Sequence, residues 1–359
     1  MDYAIVIGID HYENKPLSAA VSDAKGFAKY LFSKKLVPAT PDTINKFKDE
    51  HVEINIDRAL QDNTGADNLK LLLSETTNEI ADNRDIDKAI ESVIQDAKKH
   101  RAQKNRLYFY FAGHGMGVTY DKTALCLRFW PNWFNHCISS SDYKSWLINK
   151  GVFDEILIFL DCCREYDQNI DAKSPFPDWE TPIGDKSPNI LICNATMYGK
   201  LSYEIGADKK RGAFTSFLIE SLNGDADRNN EGRITSDALK NHINKNFENY
   251  ATQQGKYQRG DAFTQGTNGD DIIICEVENL ISAHNCEIIF KRNSNVTLRG
   301  RDTKPIKLSS MDLFEVDVKV GDKWDVKLEQ GFSVLIDNQT NEKKLIENYS
   351  ENTLTNVDF

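Results

Sequence analysis

The sequence lacks the marks of a membrane or exported protein. No apolar run approaches the roughly 20 residues that a transmembrane helix needs. The first residues, Met1–Gly8, contain neither a basic stretch nor a cleavage site, so no signal peptide is predicted. The 7 cysteines have no spacing that is typical of a disulfide framework. These absences predict a cytoplasmic protein without a membrane partner, whose cysteines are thiols available for chemistry.

Basic residues are outnumbered by acidic residues. The chain has 44 Lys and Arg residues against 55 Asp and Glu residues, which gives a net charge of −11. Nucleic-acid-binding proteins concentrate basic residues in a patch or stripe. An acidic chain without such a stripe is therefore not expected to have nucleic acid as a partner.

The sequence contains no complete metal-binding motif. Cys162 and Cys163 are adjacent rather than spaced by two residues, and no second Cys/His pair has the spacing of zinc ligands. The turn Asp227–Thr235 resembles the first part of an EF-hand loop, but Ala238 stands where the closing Glu would be. We therefore predict no metal site and no required cofactor, with Ca²⁺ binding as an alternative.

Short and nearly continuous apolar runs dominate the chain up to about residue 276. Such runs are typical of strands that are covered on both faces. Helical periodicity separates them, as in the spacing of Ala20, Ala24, Phe27 and Leu31. Alternation of strands and helices predicts an α/β domain with a mostly parallel sheet flanked by helices. The predicted strands are Tyr3–Ile9, Leu107–Phe111, Glu155–Leu160, Asn189–Cys193 and Asp271–Cys275.

The pattern changes between residues 276 and 284. Beyond that point, short β segments alternate with turn residues and no comparable helix is predicted. We expect one domain over residues 1–278 and a small all-β accessory module over residues 285–359. A regular array of short strands suits a binding surface, so we expect this module to contact a regulatory partner.

Two of the predicted strands end in residues that can carry out chemistry. Gly113-His114-Gly115 follows one strand, and Asp161-Cys162-Cys163 follows the next. Parallel strands present their carboxyl ends at the same edge of a sheet, so a thiol and an imidazole can face each other there. A lone His or Cys is more often a packing residue. The separation of 49 residues between His114 and Cys163 matches the spacing of about 50 in caspases, which favours the functional interpretation.

On these motifs the chain resembles the caspase-like cysteine peptidases, especially their bacterial and metacaspase branch. The resemblance extends to Tyr3–Asp10, Leu17–Ala24 and Gly212–Thr215, and covers about residues 1–275. It implies that Cys163 is the nucleophile, that His114 is its acid–base partner, and that the backbone amides of Gly115 and Cys163 form the oxyanion hole. Two positions depart from the family pattern, because Glu165 stands where caspases have Gly and Arg164 where metacaspases usually have His.

The same resemblance implies a substrate pocket that contains Asp23 and Asp161. Matching aspartates in metacaspases lie in the pocket for the residue before the cleaved bond, and two carboxylates in a confined site favour a cation. Both residues also have simpler interpretations. Asp23 would complement the dipole of a helix capped by Ser22, and Asp161 would cap a loop.

The sequence therefore predicts a cysteine endopeptidase with a Cys–His dyad, which cleaves protein or peptide substrates after Arg or Lys. A role in a bacterial stress, cell-death or defence pathway is the expected context. Two alternatives stay open. One is a caspase-like protease that cleaves after acidic residues, and the other is a catalytically weak scaffold that acts through residues 285–359.

Overall fold

A computed structural model describes most of the chain. Contacts divide it into two compact units, one over Met1–Arg228 with Arg233–Val277 and a second that includes Glu278–Phe359. The described residues are 1–48, 67–76, 82–133, 135–167, 169–176, 181–206, 211–227, 232–266, 271–277, 284–299, 307–308, 311–312, 315–328, 331–348 and 355–358.

The first unit alternates strands with helices. Its strands are β1 (Asp2–Ile9), β2 (Leu69–Ser74), β3 (Arg106–Ala112), β4 (Gly115–Gly117), β5 (Thr123–Cys126), β6 (Cys137–Ser139), β7 (Glu155–Asp161), β8 (Glu165–Tyr166), β9 (Asn189–Asn194), β10 (Glu204–Ile205), β11 (Arg211–Gly212), β12 (Arg233–Thr235), β13 (Asp261–Gln265) and β14 (Ile273–Glu276). Its helices are α1 (Ala20–Ser33), α2 (Pro41–Asn45), α3 (Asn83–Lys99), α4 (Ser140–Asn149), α5 (Ala213–Glu220) and α6 (Ser236–Gln253), with a π-helical turn at Ser221–Asp225 after α5.

A six-stranded sheet in the order β13-β9-β7-β3-β1-β2 forms the centre of this unit. Strands β2, β1, β3, β7 and β9 are parallel to their neighbours, and β13 pairs with β9 antiparallel. The segments that follow β3 and β7 form a second sheet, in the order β6-β5-β4-β8. The predicted fold class, a mostly parallel sheet flanked by helices, is confirmed.

The central sheet is buried on both faces. Along β3, Tyr108 and Tyr110 enter a core layer shared with α1, α5 and α6, whereas Phe109 and Phe111 enter a layer shared with α3 and α4. Because successive side chains of a strand point to opposite faces, a strand covered on both sides must be apolar at every position. This burial explains the continuous apolar runs that predicted the strands.

Several strands were not predicted from the sequence. Four of the five predicted runs lie in the central sheet, but β14, in the run Asp271–Cys275, pairs with β12 outside it. The edge strands β2 and β13 are only partly buried, and Lys70 interrupts the leucines of β2. The short strands outside the central sheet were not predicted either, namely β4, β5, β6, β8, β10, β11 and β12.

Helix α1 lies directly on β1. A Cβ atom at Gly8 would come within 2.6 Å of the Ala24 Cβ atom, so the glycine permits this close approach. The helix begins at Ala20, where the Asp10 carboxylate accepts hydrogen bonds from the first amides, at 2.8 Å from Ala20 N and 3.3 Å from Val21 N. The alternative in which Ser22 caps the helix is therefore wrong.

In the described residues of the second unit, strands are the only regular secondary structure. It holds a sheet in the order β19-β16-β21-β22, a sheet in the order β20-β15-β23 and the β17–β18 pair. Its strands are β15 (His284–Ile289), β16 (Ser294–Arg299), β17 (Lys307–Leu308), β18 (Met311–Asp312), β19 (Val316–Val318), β20 (Lys323–Leu328), β21 (Gly331–Asp337), β22 (Lys343–Asn348) and β23 (Thr355–Asp358). Across the described residues of both units, no helix is long and apolar enough to cross a membrane.

Arg106 connects the start of β3 to two neighbouring segments. Its guanidinium is 2.6 Å from the carboxylate of Glu155, which is only 3% exposed, and it donates to the carbonyls of Ile273 and Ile274 at 2.6 and 3.0 Å. The exposed Lys104 also pairs with Glu155, at 2.5 Å. Arg106 therefore neutralises a buried carboxylate and donates to two carbonyls of β14.

Replacing this guanidinium tests the contribution of the buried pair. Arg106→Met is expected to lower the free energy of unfolding by about 3 kcal/mol, because it leaves a buried carboxylate poorly compensated. Lys99→Met is the control, since it removes an exposed ion pair with Asp96 and should cost less than about 1 kcal/mol. Urea denaturation of both variants measures the difference. Equal losses would contradict a special role for Arg106.

Candidate active site

A cavity of about 170 Å³ opens at the carboxyl edge of the central sheet. The sequence-predicted residues Asp23, His114, Asp161 and Cys163 all line it, and Gly115 is not among its lining residues. The complete lining is Leu17, Ala19, Ala20, Asp23, Ala112, Gly113, His114, Asp161, Cys162, Cys163, Ser202, Tyr203, Glu204 and Gly212.

The register of the sheet brings these residues together. Ala112, the last residue of β3, pairs with Asp161, the last residue of β7. His114 and Cys163 each follow two residues later and therefore leave the sheet at the same level. Gly8 of β1 pairs with Ala112 on the other side, so the segment after β1 reaches the same edge.

Contacts from the segment after β1 hold His114. Its backbone N–H donates to the Tyr12 hydroxyl at 2.9 Å, and its Nε2 atom lies 2.8 Å from the Lys15 carbonyl oxygen. A carbonyl only accepts hydrogen bonds, so Nε2 carries a proton and Nδ1 keeps a lone pair in the neutral ring. The ring packs against both Tyr12 and Trp130, with centroids 4.6 and 5.1 Å away. Burial lowers the pKa of His114 despite the bond to Lys15, which favours the neutral base.

The Cys163 thiol contacts the backbone of Ser202. The Ser202 amide donates to Sγ at 3.3 Å, and Sγ lies 3.7 Å from the Ser202 carbonyl oxygen. Burial raises the pKa of Cys163, and the negative charges of Glu165 and Asp161 act in the same direction against the amide hydrogen bond. These surroundings favour the thiol over the thiolate.

The two adjacent cysteines differ in their surroundings. Cys162 also reaches the cavity wall, but it is 2% exposed and its Sγ atom would lie 2.6 Å from a Cβ atom added to Gly115. Cys163 is partly exposed. Gly115 is thus required where β4 passes Cys162 and Cys163, because any side chain there would collide with Cys162.

Two buried carboxylates form the floor of the cavity, with Gly212 between them. The Gly212 amide donates to Asp23 Oδ2 at 2.7 Å. A Cβ atom at Gly212 would lie 2.3 Å from Asp161 Oδ2 and 2.7 Å from Asp23 Oδ2, so only glycine fits. Burial raises the pKa of both aspartates, and the charge of Asp161 raises that of Asp23 further.

The hydrogen bonding of the two aspartates is unequal. Asp161 accepts from the amide and hydroxyl of Thr215 at 3.1 and 2.7 Å, and from the Ser202 hydroxyl at 3.0 Å. It therefore caps the start of α5 as well as lining the cavity. In contrast, Asp23 Oδ1 is buried and has no hydrogen-bond partner among the described residues. This oxygen is an acceptor in need of a donor.

Several residues of the site were not predicted from the sequence. They are Tyr12, Lys15 and Trp130 around His114, Ser202 beside Cys163, and Glu204, which accepts from the Ser18 amide and hydroxyl at 3.1 and 3.0 Å. They come from three segments of the chain, none of which carries a motif. Only Tyr12 could have been suggested from the sequence, because it lies three residues after β1.

Arg164, one of the departures from the family pattern, has a structural role. It is 2% exposed, its Nε atom donates to the Thr123 hydroxyl at 3.1 Å, and it forms an ion pair with Asp261 at 3.5 Å. Its backbone N–H donates to the Lys200 carbonyl at 2.9 Å. The side chain directly after Cys163 therefore anchors this part of the chain to β5 and β13.

No cluster of His, Cys, Asp or Glu that could hold a metal ion occurs within the described part of the chain. The EF-hand-like turn Asp227–Thr235, which left Ca²⁺ as an alternative, lies partly outside the described residues. Calcium binding at this turn stays a prediction.

Comparison with known proteins identifies the class. The caspase-domain family model matches residues 1–267, and the chain therefore belongs to the caspase-domain peptidases. It is a cysteine-type peptidase, and its substrates are proteins or peptides.

Solved structures similar to this chain include a protein from Geobacter sulfurreducens, with 15% identity and a TM-score of 0.40 over 77% of this chain and 99% of the other. They also include caspase-1 from Spodoptera frugiperda, with 11% identity and a TM-score of 0.39 over 77% of this chain and 90% of the other. Among curated proteins, none is similar enough to be matched to this chain.

The protonation of Cys163 can be tested by alkylation. Because burial raises the pKa of its thiol above the ordinary value of 9.0, the rate of reaction with iodoacetamide should be low at neutral pH and still rise above pH 9.0. The Cys163→Ala variant gives the background from the other cysteines. Mass spectrometry of tryptic peptides follows the modification. A rate that is already at its plateau near neutral pH would indicate a preformed thiolate–imidazolium pair and contradict this prediction.

Proposed function

We propose that this protein is a cysteine endopeptidase that cleaves after Arg or Lys, with Cys163 as nucleophile and His114 as general acid and base. The observation that carries the proposal is the cavity floor. Asp23 and Asp161 are buried together in the same cavity as His114 and Cys163, and Asp23 Oδ1 has no partner among the described residues.

In the proposed reaction, both reacting side chains start uncharged. Nδ1 of His114 removes the thiol proton of Cys163, and the sulfur attacks the carbonyl carbon of the scissile bond. The backbone amides of Gly115 and Cys163 would stabilise the oxyanion. The resulting imidazolium donates its proton to the leaving amine as the C–N bond breaks. Water, activated by the neutral His114, then hydrolyses the thioester and restores the thiol.

The pocket chemistry supports a cationic substrate side chain. An arriving guanidinium or ammonium would donate to Asp23 Oδ1 and relieve the repulsion between Asp23 and Asp161. Gly212 places only backbone beside the two carboxylates, so no side chain from this position competes with the substrate for them. Glu204 adds a third acidic group to the cavity lining. An acidic substrate side chain would be repelled by all three.

The other functional interpretations have less support. Cleavage after acidic residues needs cations in the pocket, and none of the described residues that line the cavity is Lys or Arg. His114 and Cys163 line the same cavity, and burial favours the neutral imidazole, which can act as a base. This arrangement supports an active enzyme over a catalytically weak scaffold. We propose that the β unit binds a regulatory partner, and that the protein acts in the cytoplasm in a bacterial stress, cell-death or defence pathway.

Substitution of the two adjacent cysteines tests the identity of the nucleophile. Cys163→Ala and His114→Ala should each reduce peptide hydrolysis to background, because they remove the attacking sulfur and its proton acceptor. Cys162→Ala is the matched control and should retain most activity, since its side chain packs against Gly115. Hydrolysis of a fluorogenic peptide library measures all three variants. An inactive Cys162→Ala beside an active Cys163→Ala would reverse the assignment.

Specificity can be tested with Asp23→Asn, which removes one pocket charge and preserves the size of the side chain. We expect kcat/KM for an Arg peptide to fall by about a hundredfold, with a much smaller change for the matched citrulline peptide, because only the cation needs the carboxylate. Asp161→Asn should show the same selectivity. Asp42→Asn, in the first turn of α2, is the control.

The pH dependence gives a second measure of this pocket. Since burial raises the pKa of Asp23 and Asp161 above the ordinary 3.8, protonation should remove their charge at a higher pH than for exposed aspartates. The preference for Arg over citrulline should therefore increase as pH rises. Preferential cleavage after Asp, or an unchanged Arg preference in both Asn variants, would exclude these residues from the pocket.

A further inference from the structure

A loop between β1 and α1 holds His114 in place. Residues 11–19 form this loop and contain neither helix nor strand. They supply the Tyr12 hydroxyl and the Lys15 carbonyl that contact His114. Glu204 holds the loop at Ser18, and the position of the imidazole also depends on what fixes the two ends of the loop.

Asp10 fixes both ends. At one end, its backbone N–H and that of His11 donate to the Ser74 carbonyl at the end of β2, at 3.0 and 2.9 Å. At the other end, its two carboxylate oxygens accept from Ala20 N and Val21 N, at the start of α1. Its carbonyl also accepts from Leu17 N at 2.9 Å, across the loop.

These contacts need a carboxylate. Two successive amides at a helix N-terminus have no partner within the helix, and each of the two oxygens of Asp10 accepts from one of them. An Asn side chain has one acceptor oxygen and would present N–H groups to the second amide. No nearer side chain caps α1, because Ala19 occupies the position before the helix.

We propose that Asp10 is a positioning residue for His114. By closing the loop over residues 11–19, it keeps the Lys15 carbonyl within hydrogen-bond distance of Nε2, so that Nδ1 carries the lone pair that accepts the thiol proton. The inference rests on the proposed function, because it assigns Asp10 to the reaction of His114. It requires no contact between Asp10 and the substrate.

A purely structural role for Asp10 makes a different prediction. Asp10 would then act as an ordinary helix cap, and its loss would weaken the fold without changing the chemical step. Asp82 provides the matched control. Its carboxylate accepts from Arg84 N and Asp85 N, at 2.8 and 3.1 Å, and caps α3, none of whose residues lines the cavity.

The test compares Asp10→Asn, Asp10→Ala and Asp82→Ala in the full chain, with the peptide that the wild type cleaves best. For Asp10→Ala we expect kcat to fall about tenfold or more, with KM changed by less than about twofold, because the base is misplaced while Asp23 keeps its separate bond to the Gly212 amide. Asp10→Asn should lie between Asp10→Ala and the wild type. Asp82→Ala should keep the wild-type kcat while its melting temperature falls.

A spectroscopic measurement reports on His114 itself. In ¹⁵N-labelled protein, the His114 ring should show the Nε2–H form in the wild type and in Asp82→Ala, and a mixture of tautomers in Asp10→Asn. If Asp10→Ala does not fold, Asp10→Asn decides the question. Unchanged kcat and an unchanged tautomer in Asp10→Asn would overturn the proposal.

His114→Ala, assayed in parallel, separates the two possible failures. If His114→Ala stays active, the proposed dyad is wrong and the role of Asp10 falls with it. If His114→Ala is inactive but both Asp10 variants keep the wild-type kcat, the dyad stands and only the positioning role of Asp10 is refuted.

Discussion

The parallel pairing of β3 with β7 sets the position of everything else in the candidate site. With Ala112 opposite Asp161, the two strands end together, and the segments that follow them must emerge side by side. Burial on both faces fixes this register, because a slip by one residue would exchange the side chains of the two core layers. Strand β1, paired on the other side of β3, then brings a third segment to the same edge.

Electrostatics at this edge follow from burial. Removal from water favours the uncharged form of each group, and it raises the pKa of Cys163, Asp23 and Asp161 while it lowers that of His114. Four titratable groups thus line one cavity, and burial biases each of them against its charged form. A bound cationic substrate is expected to favour the ionised aspartates, and proton transfer from Cys163 to His114 is expected to form the thiolate and the imidazolium. Substrate binding is therefore linked to the ionisation of the site.

The sequence predicted the parts of this structure that depend on side-chain type. Continuous apolar runs identified the inner strands, and the Gly-His-Gly and Asp-Cys-Cys segments identified residues that line one cavity. The edge strands β2 and β13 gave a weaker signal because they are only partly buried: Lys70 interrupts the leucines of β2, and β13 is mostly polar. The Lys15 carbonyl and the Ser202 amide could not be predicted, since every residue carries these backbone groups and only the folded chain selects which of them meet His114 and Cys163.

Gly212 has a consequence for how this pocket can change during evolution or engineering. Its bare Cα atom separates the two buried carboxylates, and glycine has no smaller replacement. Variation at this position can only reduce the space, so it can convert an open pocket into a blocked one but cannot enlarge it. Any lineage or library that acquires a wider substrate range must alter the rim of the cavity, where Leu17, Tyr203 and Glu204 offer larger side chains to trim.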